Sequence, residues 1–187
     1  MAGSFLPLES ARLNLRRFRE SDLEPFHTYR SDPDVGKYQG WSALTLDEAR
    51  QFIETQDEHM PGALGVGAQI AIELKASGEM VGDVFLNTPA DEPDHAQFGY
   101  TLGREHQGKG VATEAVETLL DYVFGPLDKH RATALTFADN ARSVALLERI
   151  GMRREAHHLQ SSRLDGAWVD DYVYAMLQSD WLLRRRA

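Results

Sequence analysis

The hydrophobic period of the chain switches abruptly at a glycine-rich octet, and that switch limits the folds open to it. Val66, Ala68, Ile70, Ile72 and Leu74 alternate with Gly67, Gln69, Ala71 and Glu73, which predicts a strand with one buried face. After the turn at Ala76, Ser77 and Gly78, EMVGDVFLN reads as its hairpin partner. Beyond a loop containing Pro and Asp, HAQFGYTL sets Ala96, Phe98, Tyr100 and Leu102 on one face. An antiparallel meander is therefore expected up to Leu102. The octet GREHQGKG, residues 103 to 110, follows. From Val111 the apolar residues Ala112, Ala115, Val116, Leu119, Leu120, Val123 and Phe124 recur at helical spacing, with Glu114, Glu117 and Asp121 off the stripe. The octet is thus the turn from a strand into a helix.

The remaining segments extend this pattern. ARLNLRRF, residues 11 to 18, reads as a first strand, and Ser21 with Glu24 has the spacing of a capping box at the start of a helix. Thr45 with Glu48 repeats the box, and Leu44 with Ala49 forms a hydrophobic staple, so a second helix is expected from residue 46 to about 59. The stretch DPDVGKYQGW between them reads as loop. RATALTFA is a further strand, Asn140 opens a helix through SVALLERI that stops at Gly151, and closing strands fit residues 153 to 163 and 168 to 177. An antiparallel meander followed by one βαβ unit makes the fold class α+β with a mainly antiparallel sheet flanked by helices, rather than doubly wound. At 187 residues and 42% hydrophobic content, one domain over residues 1–187 is the expectation.

Composition narrows the partners. A formal charge of −9 and a pI near 5.2 argue against a nucleic-acid footprint, and suit a cationic acceptor only weakly. With no cysteine, disulfides, thiol nucleophiles and thiolate metal sites are excluded. MAGSFLPLESARL lacks a basic region followed by an apolar run, and no segment approaches the ~18 apolar residues of a membrane span, so the chain reads as soluble and cytoplasmic. Arg184, Arg185 and Arg186 complement the dipole of a terminal helix. His157 and His158, adjacent on a strand, point to opposite faces, as one surface and one core histidine, and no metal is expected.

The octet has the glycine and lysine spacing of a nucleotide-binding loop, but Gly110 stands where such a loop carries the hydroxyl that binds Mg²⁺. A nucleotide hydrolase is therefore disfavoured. What remains is an anion cradle: glycines at 108 and 110 admit positive φ, and the helix that follows presents unpaired N–H groups. Charge-assisted hydrogen bonds at roughly 1.5 to 3 kcal/mol each outweigh a helix dipole of about 0.3 to 1 kcal/mol. Several amides, rather than the dipole, would hold a diphosphate.

QGKGVATEA directly after FGYTL, NARSVALLERIGM, and LNLRRFRESDLEPFHTYRSDPDV with KYQGW together resemble the GNAT superfamily of acyl-CoA-dependent N-acyltransferases, specifically its RimJ/RimL-like branch. The resemblance spans nearly the whole chain. It matches the acyl-CoA signature at Gln107, Gly110 and Ala112, and the later helix at Asn140, Ser143, Leu146, Leu147, Glu148 and Gly151. It implies an N-acetyltransferase that moves an acetyl group from acetyl-CoA to a primary amine by direct attack on the thioester. The amine is a peptide or ribosomal-protein N-terminus or a small molecule, and a homodimer would be compatible with the branch.

By the same resemblance, the backbone amides of Gln107, Gly108, Lys109, Gly110, Val111 and Ala112 would hold the CoA diphosphate, and Tyr100, Thr101 and Leu102 would pair with the pantetheine arm as an added strand. Asn140 has two open roles, helix cap and pantetheine ligand. Ser143 would hydrogen-bond the departing sulfur as the catalytic hydroxyl. Tyr38, Trp41 and Trp168 would wall the acceptor channel, with Phe85, Asp83 and Asn87 near it. Many members of the superfamily carry glutamate where this chain has Gln97, which cannot take a proton. Asp94, His95, Asp170 or a water held by Gln97 are the other base candidates. The missing glutamate also keeps open a non-catalytic acyl-CoA-binding module, and it favours an acceptor of low basicity.

Overall fold

The computed structural model describes residues 7–39, 41, 43–56, 58–164 and 166–186, so the first six residues of the leader reading lie outside it. In chain order the elements are β1 (Leu8–Glu9), β2 (Leu13–Arg16), α1 (Leu23–Arg30), α2 (Pro33–Gly36), α3 (Leu46–Gln56), β3 (Gly67–Leu74), β4 (Met80–Asn87) and β5 (His95–Leu102). There follow α4 (Val111–Phe124), β6 (Arg131–Phe137), α5 (Ala141–Arg149), β7 (Arg153–Leu164), β8 (Ala167–Leu177) and α6 (Gln178–Arg184). The expected mixed α+β order is present, and the strands form one sheet in the order β1-β2-β3-β4-β5-β6-β8-β7. No helix among the described residues is long and apolar enough to cross a membrane.

Among the described strands, only β5 and β6 pair in parallel, and their register covers just His95↔Arg131, Ala96↔Ala132 and Gln97↔Thr133. Beyond Gln97 the strands part: Phe98 to Leu102 pair with β4 alone, and Ala134 to Phe137 pair with β8 alone. The parting opens the sheet at the end where the glycine octet begins.

Two apolar layers cover the sheet. Against one face pack α4, α5 and α6, whose Leu119, Leu120, Phe124, Leu147 and Trp181 meet Phe98, Ala132, Ala134 and Tyr174. The other face takes α1 and α3, where Phe26 stacks on Phe52 at 5.2 Å and meets Phe18 edge-on at 5.4 Å. Because that layer reaches Ala71 and Met80, β3 is buried on both faces rather than the single face its alternation predicts. At Gly82 of β4, a Cβ would lie 2.2 Å from the Thr101 carbonyl oxygen, so only glycine allows β4 and β5 their approach.

Local signals held in one place and failed in two. The Thr45–Glu48 box forms, with Thr45 N–H donating to Glu48 Oε2 at 2.8 Å and Glu48 N–H to Thr45 Oγ1 at 3.3 Å. The Ser21–Glu24 box does not. Asp22, turned inward by Arg16, instead accepts the Arg19 N–H at 2.7 Å. The expected loop after residue 31 contains α2, whose cap is Asp32, accepting from Asp34 N–H at 2.9 Å with Pro33 behind it.

Arg16 is the electrostatic tie beneath α1. Its guanidinium reaches Asp22 at 2.6 and 2.9 Å and Glu73 at 2.5 Å, with all three side chains buried. Burial pushes the Glu73 carboxyl up, but hydrogen bonds from Asn14 and Arg16 outweigh it and hold the group below its usual range. Its stabilisation is therefore complete above the unfolded pKa of about 4.3 and is lost as pH falls through the lower folded value. Replacing Arg16 by Met takes away the buried Asp22 carboxylate's guanidinium and leaves Glu73 only Asn14 and the exposed Arg19 as partners, which should cost about 3 kcal/mol. Urea denaturation at neutral pH measures this loss.

Candidate active site

The cradle is built where β5 turns into α4. Gly108 and Gly110 adopt φ of 72° and 77°, and Gly110 caps α4 without a side-chain bond. The first bond that closes the helix runs from Glu114 N–H to the Gly110 carbonyl at 3.1 Å, so the amides of Val111, Ala112 and Thr113 precede any intrahelical partner. Behind the loop, Arg12 holds it in place: Nε donates to Glu114 at 2.6 Å and Nη1 to the Lys109 carbonyl at 3.1 Å, while Ser10 Oγ donates to Glu114 at 2.7 Å. Burial raises the Glu114 carboxyl, but the hydrogen bonds from Ser10 and Arg12 bring it below its usual range.

Arginines surround the cradle. Arg142 donates to Gln107 Oε1 at 2.7 Å, and Gln107 Nε2 donates to the Leu102 carbonyl at 3.1 Å. Arg149 reaches Thr113 Oγ1 at 3.3 Å, and Arg104 bridges Asp32 and Asp34 of the α2 cap. Bare amides beside guanidinium groups bind anions, phosphates above all.

From the cradle a cleft of about 630 Å³ runs along the parted edge of β5, between α2 and α5. Tyr100, Thr101 and Leu102 form its floor. Gln39 donates to the Tyr100 carbonyl at 3.4 Å. Across the cleft, Asn140 caps α5 by accepting the Ser143 N–H at 3.2 Å, which uses only its carbonyl oxygen. The Ser143 hydroxyl lies 2.9 Å from the Tyr100 hydroxyl. Burial pushes the Tyr100 phenol up to about 12, against a smaller opposing effect of the Ser143 hydrogen bond, so the phenol keeps its proton at neutral pH.

Most residues the sequence singled out converge here: Gln107, Gly108, Gly110 and Ala112 line the cradle end, and Asn140 and Ser143 line the α5 wall. Tyr38 lines the opposite wall, its ring 6.3 Å from Phe137. Lys109 is exposed and offers its carbonyl to Arg12, while the Val111 side chain is buried in the core. Trp41 stands apart, beside a second cleft with Lys37 and Arg163, and the Arg30 guanidinium sits 3.7 Å over its ring. Phe85 packs over Gly67, and Gln97 is exposed, accepting from Asn87 at 3.2 Å.

Of the other polar candidates, Asp94 is exposed and accepts the His130 N–H at 2.9 Å through its backbone carbonyl, while Asp83, His95 and Asp170 are engaged through their side chains. Asp83 is buried and accepts from Tyr29 at 2.7 Å and Arg30 at 2.9 Å, which ties β4 to α1 and keeps its carboxylate out of the cleft. His95 pairs with Glu92 at 2.8 Å, and Asp170 with His157 at 2.6 Å and the Gln160 N–H at 2.8 Å. His158 is exposed like His157, because the edge strand β7 carries no layer over it. Trp168 is also exposed, beneath Arg163 at 4.6 Å. Sequence reasoning missed Arg142, Arg149, the Arg12–Glu114 tie and the side chain of Tyr100. The seven-residue spacing of the two α5 arginines, two helical turns, was the available signal for that pair.

Known proteins resemble this chain in sequence and fold. A family model described as an acetyltransferase (GNAT) domain matches residues 12–153. The uncharacterized N-acetyltransferase p20 of Bacillus licheniformis is 31% identical over 93% of this chain and 97% of its own length. Spermidine N(1)-acetyltransferase of Vibrio cholerae is 25% identical over 94% of this chain and 98% of its own. The crystal structure of a GNAT-family acetyltransferase from Bacillus anthracis superposes with a TM-score of 0.83 at 28% identity, covering 93% of this chain and 99% of that one.

The tie behind the cradle is testable without any ligand. Glu114→Ala should lower stability by roughly 1–3 kcal/mol through the lost charge-assisted bonds. Because the folded carboxyl lies below its usual range, the gap between wild type and variant should persist above pH ~4.3 and close as pH falls through the folded value. Denaturant midpoints measured from pH 7 down to 3 check the direction.

Proposed function

The chain belongs to the GNAT acetyltransferase family and is an N-acetyltransferase that moves an acetyl group onto a primary amine; from that premise we propose acetyl-CoA as its donor, an amine of low basicity as its acceptor, and the RimJ/RimL-like branch as its place in the family. Residues 1–187 are read as one acyltransferase domain. The observation that carries the donor is the joining of an amide cradle to an open strand edge in one cleft.

The residues fit the donor at each part. At Gly108 and Gly110 positive φ turns the backbone toward the cleft. The amides of residues 107 to 112, with Arg142 and Arg149, suit a diphosphate. The backbone of Tyr100 to Leu102 suits an extended arm carrying amides, once Gln39 yields the Tyr100 carbonyl. Asn140 caps α5 with its oxygen and retains an NH₂ group to donate to that arm. When bound, acetyl-CoA supplies an activated acyl group with a thiol as leaving group. Ser143 then places a hydroxyl donor where negative charge gathers on the leaving sulfur. The α2 side of the cleft, with Tyr38, receives the amine and orients it for attack.

Asp94, His95 and Asp170 do not line the cleft, and Gln97 cannot act as a base. The acceptor is therefore read as one that arrives neutral. An α-amine of pKa about 7.7–8.0 is roughly a tenth neutral at pH 7, whereas a lysine amine near 10.4 costs about 3 kcal/mol more to deprotonate. A peptide N-terminus is accordingly preferred, and the polyamine acceptor named for the Vibrio cholerae relative is the competing class.

With acetyl-CoA and an amine panel, free thiol should appear fastest with α-amines. The rate should rise with pH through the acceptor's own pKa of about 7.7–8.0. A clear preference for spermidine over an N-terminal peptide would overturn the acceptor class. Gly110→Ser, forced to a positive φ of 77° with Arg12 Nη2 3.4 Å from the new Cβ, should weaken CoA binding about tenfold. Unchanged affinity by calorimetry counts against the cradle.

A further inference from the structure

Building on the acetyl-transfer reading, we propose that Tyr100 is a positioning residue that acts through Ser143: its hydroxyl donates to Ser143 Oγ and thereby turns the serine's own proton into the cleft.

The alternation of β5 sends Tyr100 to the α4–α5 side together with Phe98 and Leu102, opposite Thr101. The side chain crosses beneath the parted edge to α5, where its oxygen lies 2.9 Å from Ser143 Oγ and 3.5 Å from the Ser143 carbonyl oxygen. The shorter contact is the better bond for the single phenolic proton. On the other side of the pair, the Asn140 cap fixes the Ser143 backbone at 3.2 Å. The serine is thus held at its backbone by one side chain and at its oxygen by another, and both partners line the same cleft.

Direction follows from acidity. A phenol is a far stronger donor than an alkyl alcohol, and Tyr100 remains protonated at neutral pH. With Tyr100 donating, Ser143 Oγ is the acceptor and its O–H is left to donate in turn. A free helical serine would bond back to the carbonyl four residues earlier, turning its proton away from the cleft. The two hydroxyls polarise one another in series, which strengthens the terminal donor. No proton changes owner in this arrangement. As the acyl carbon–sulfur bond breaks, the electron pair stays on sulfur, the Ser143 O–H hydrogen-bonds to it, and the new nitrogen–carbon bond's excess proton leaves with water.

The test is a double-mutant cycle with Tyr100→Phe, which keeps the ring, and Ser143→Ala. It reads kcat, KM for acetyl-CoA, the calorimetric Kd of CoA, and the pKa of bound CoA thiol followed by thiolate ultraviolet absorbance. Ser143→Ala should lower kcat by about a hundredfold. Tyr100→Phe should lower it by about tenfold, with KM and Kd within about twofold of wild type. Both should raise the bound-thiol pKa. In the Ser143→Ala background Tyr100→Phe should add nothing, while in a Ser143→Thr background, which keeps the hydroxyl, its penalty should persist. The proposal is overturned by a Tyr100→Phe enzyme with wild-type kcat and thiol pKa, or by penalties that multiply in the double variant. A silent Ser143→Ala with intact CoA binding removes the serine's role and the relay with it. A wild-type protein that binds CoA but releases no thiol with any amine removes the acetyl-transfer reading instead.

Discussion

The short register between β5 and β6 is the constraint on which the site depends. Parallel pairing ends at Gln97↔Thr133, and from there each strand keeps one neighbour and turns its other edge to the cleft. Buried backbone groups without partners are costly, so an edge opened inside a sheet persists only where something can pair with it. Gln39 meets one of these groups in the free protein through the Tyr100 carbonyl. An extended ligand carrying amides would meet more of them. The same parting brings the Gly108–Gly110 turn to one end of the cleft and the α5 cap to its side, because both follow directly from the strands that diverge.

Around this opening, charge is used for rigidity more than for catalysis. Arg16 binds the nearby Asp22 and the distant Glu73, while Arg30 binds Asp83 and Arg12 binds Glu114 across segments far apart in the chain. The first two ties are buried, where losing one partner leaves an uncompensated charge. The third lies half in solvent and works by geometry: Glu114 sits in the first turn of α4, so the guanidinium it holds braces the loop from behind and leaves the cleft side bare. None of the candidate bases Asp94, His95 and Asp170 lines the cleft, whose polar side chains offer alignment and hydrogen bonding.

Where local signals succeeded, the physics was local. Thr45 and Glu48 satisfy one another within a single turn, so their box formed as the spacing predicts. Ser21 and Glu24 have the same spacing, yet Arg16 recruits Asp22 from inside the motif and moves the cap to the Arg19 N–H. The α2 helix was legible in Asp32–Pro33, a cap followed by a residue suited to the first helical position, but four residues give little periodicity to support it. Asp83 looked like an acceptor contact from its strand face alone, and only the packing of α1 shows that Tyr29 and Arg30 take both of its oxygens.

By itself, the sequence determined the order of the longer strands and helices, the glycine turn with its positive φ, the unpaired amides that open α4, and the Asn140–Ser143 helix start. Each depends on residues within a turn or two of one another, where periodicity and backbone sterics act directly. The tertiary structure alone decided the parting of β5 from β6, the Arg12–Glu114 brace across 102 residues and the Tyr100–Ser143 contact across 43. Such contacts are fixed by strand order and register, which follow from how whole faces pack, and no local pattern records them.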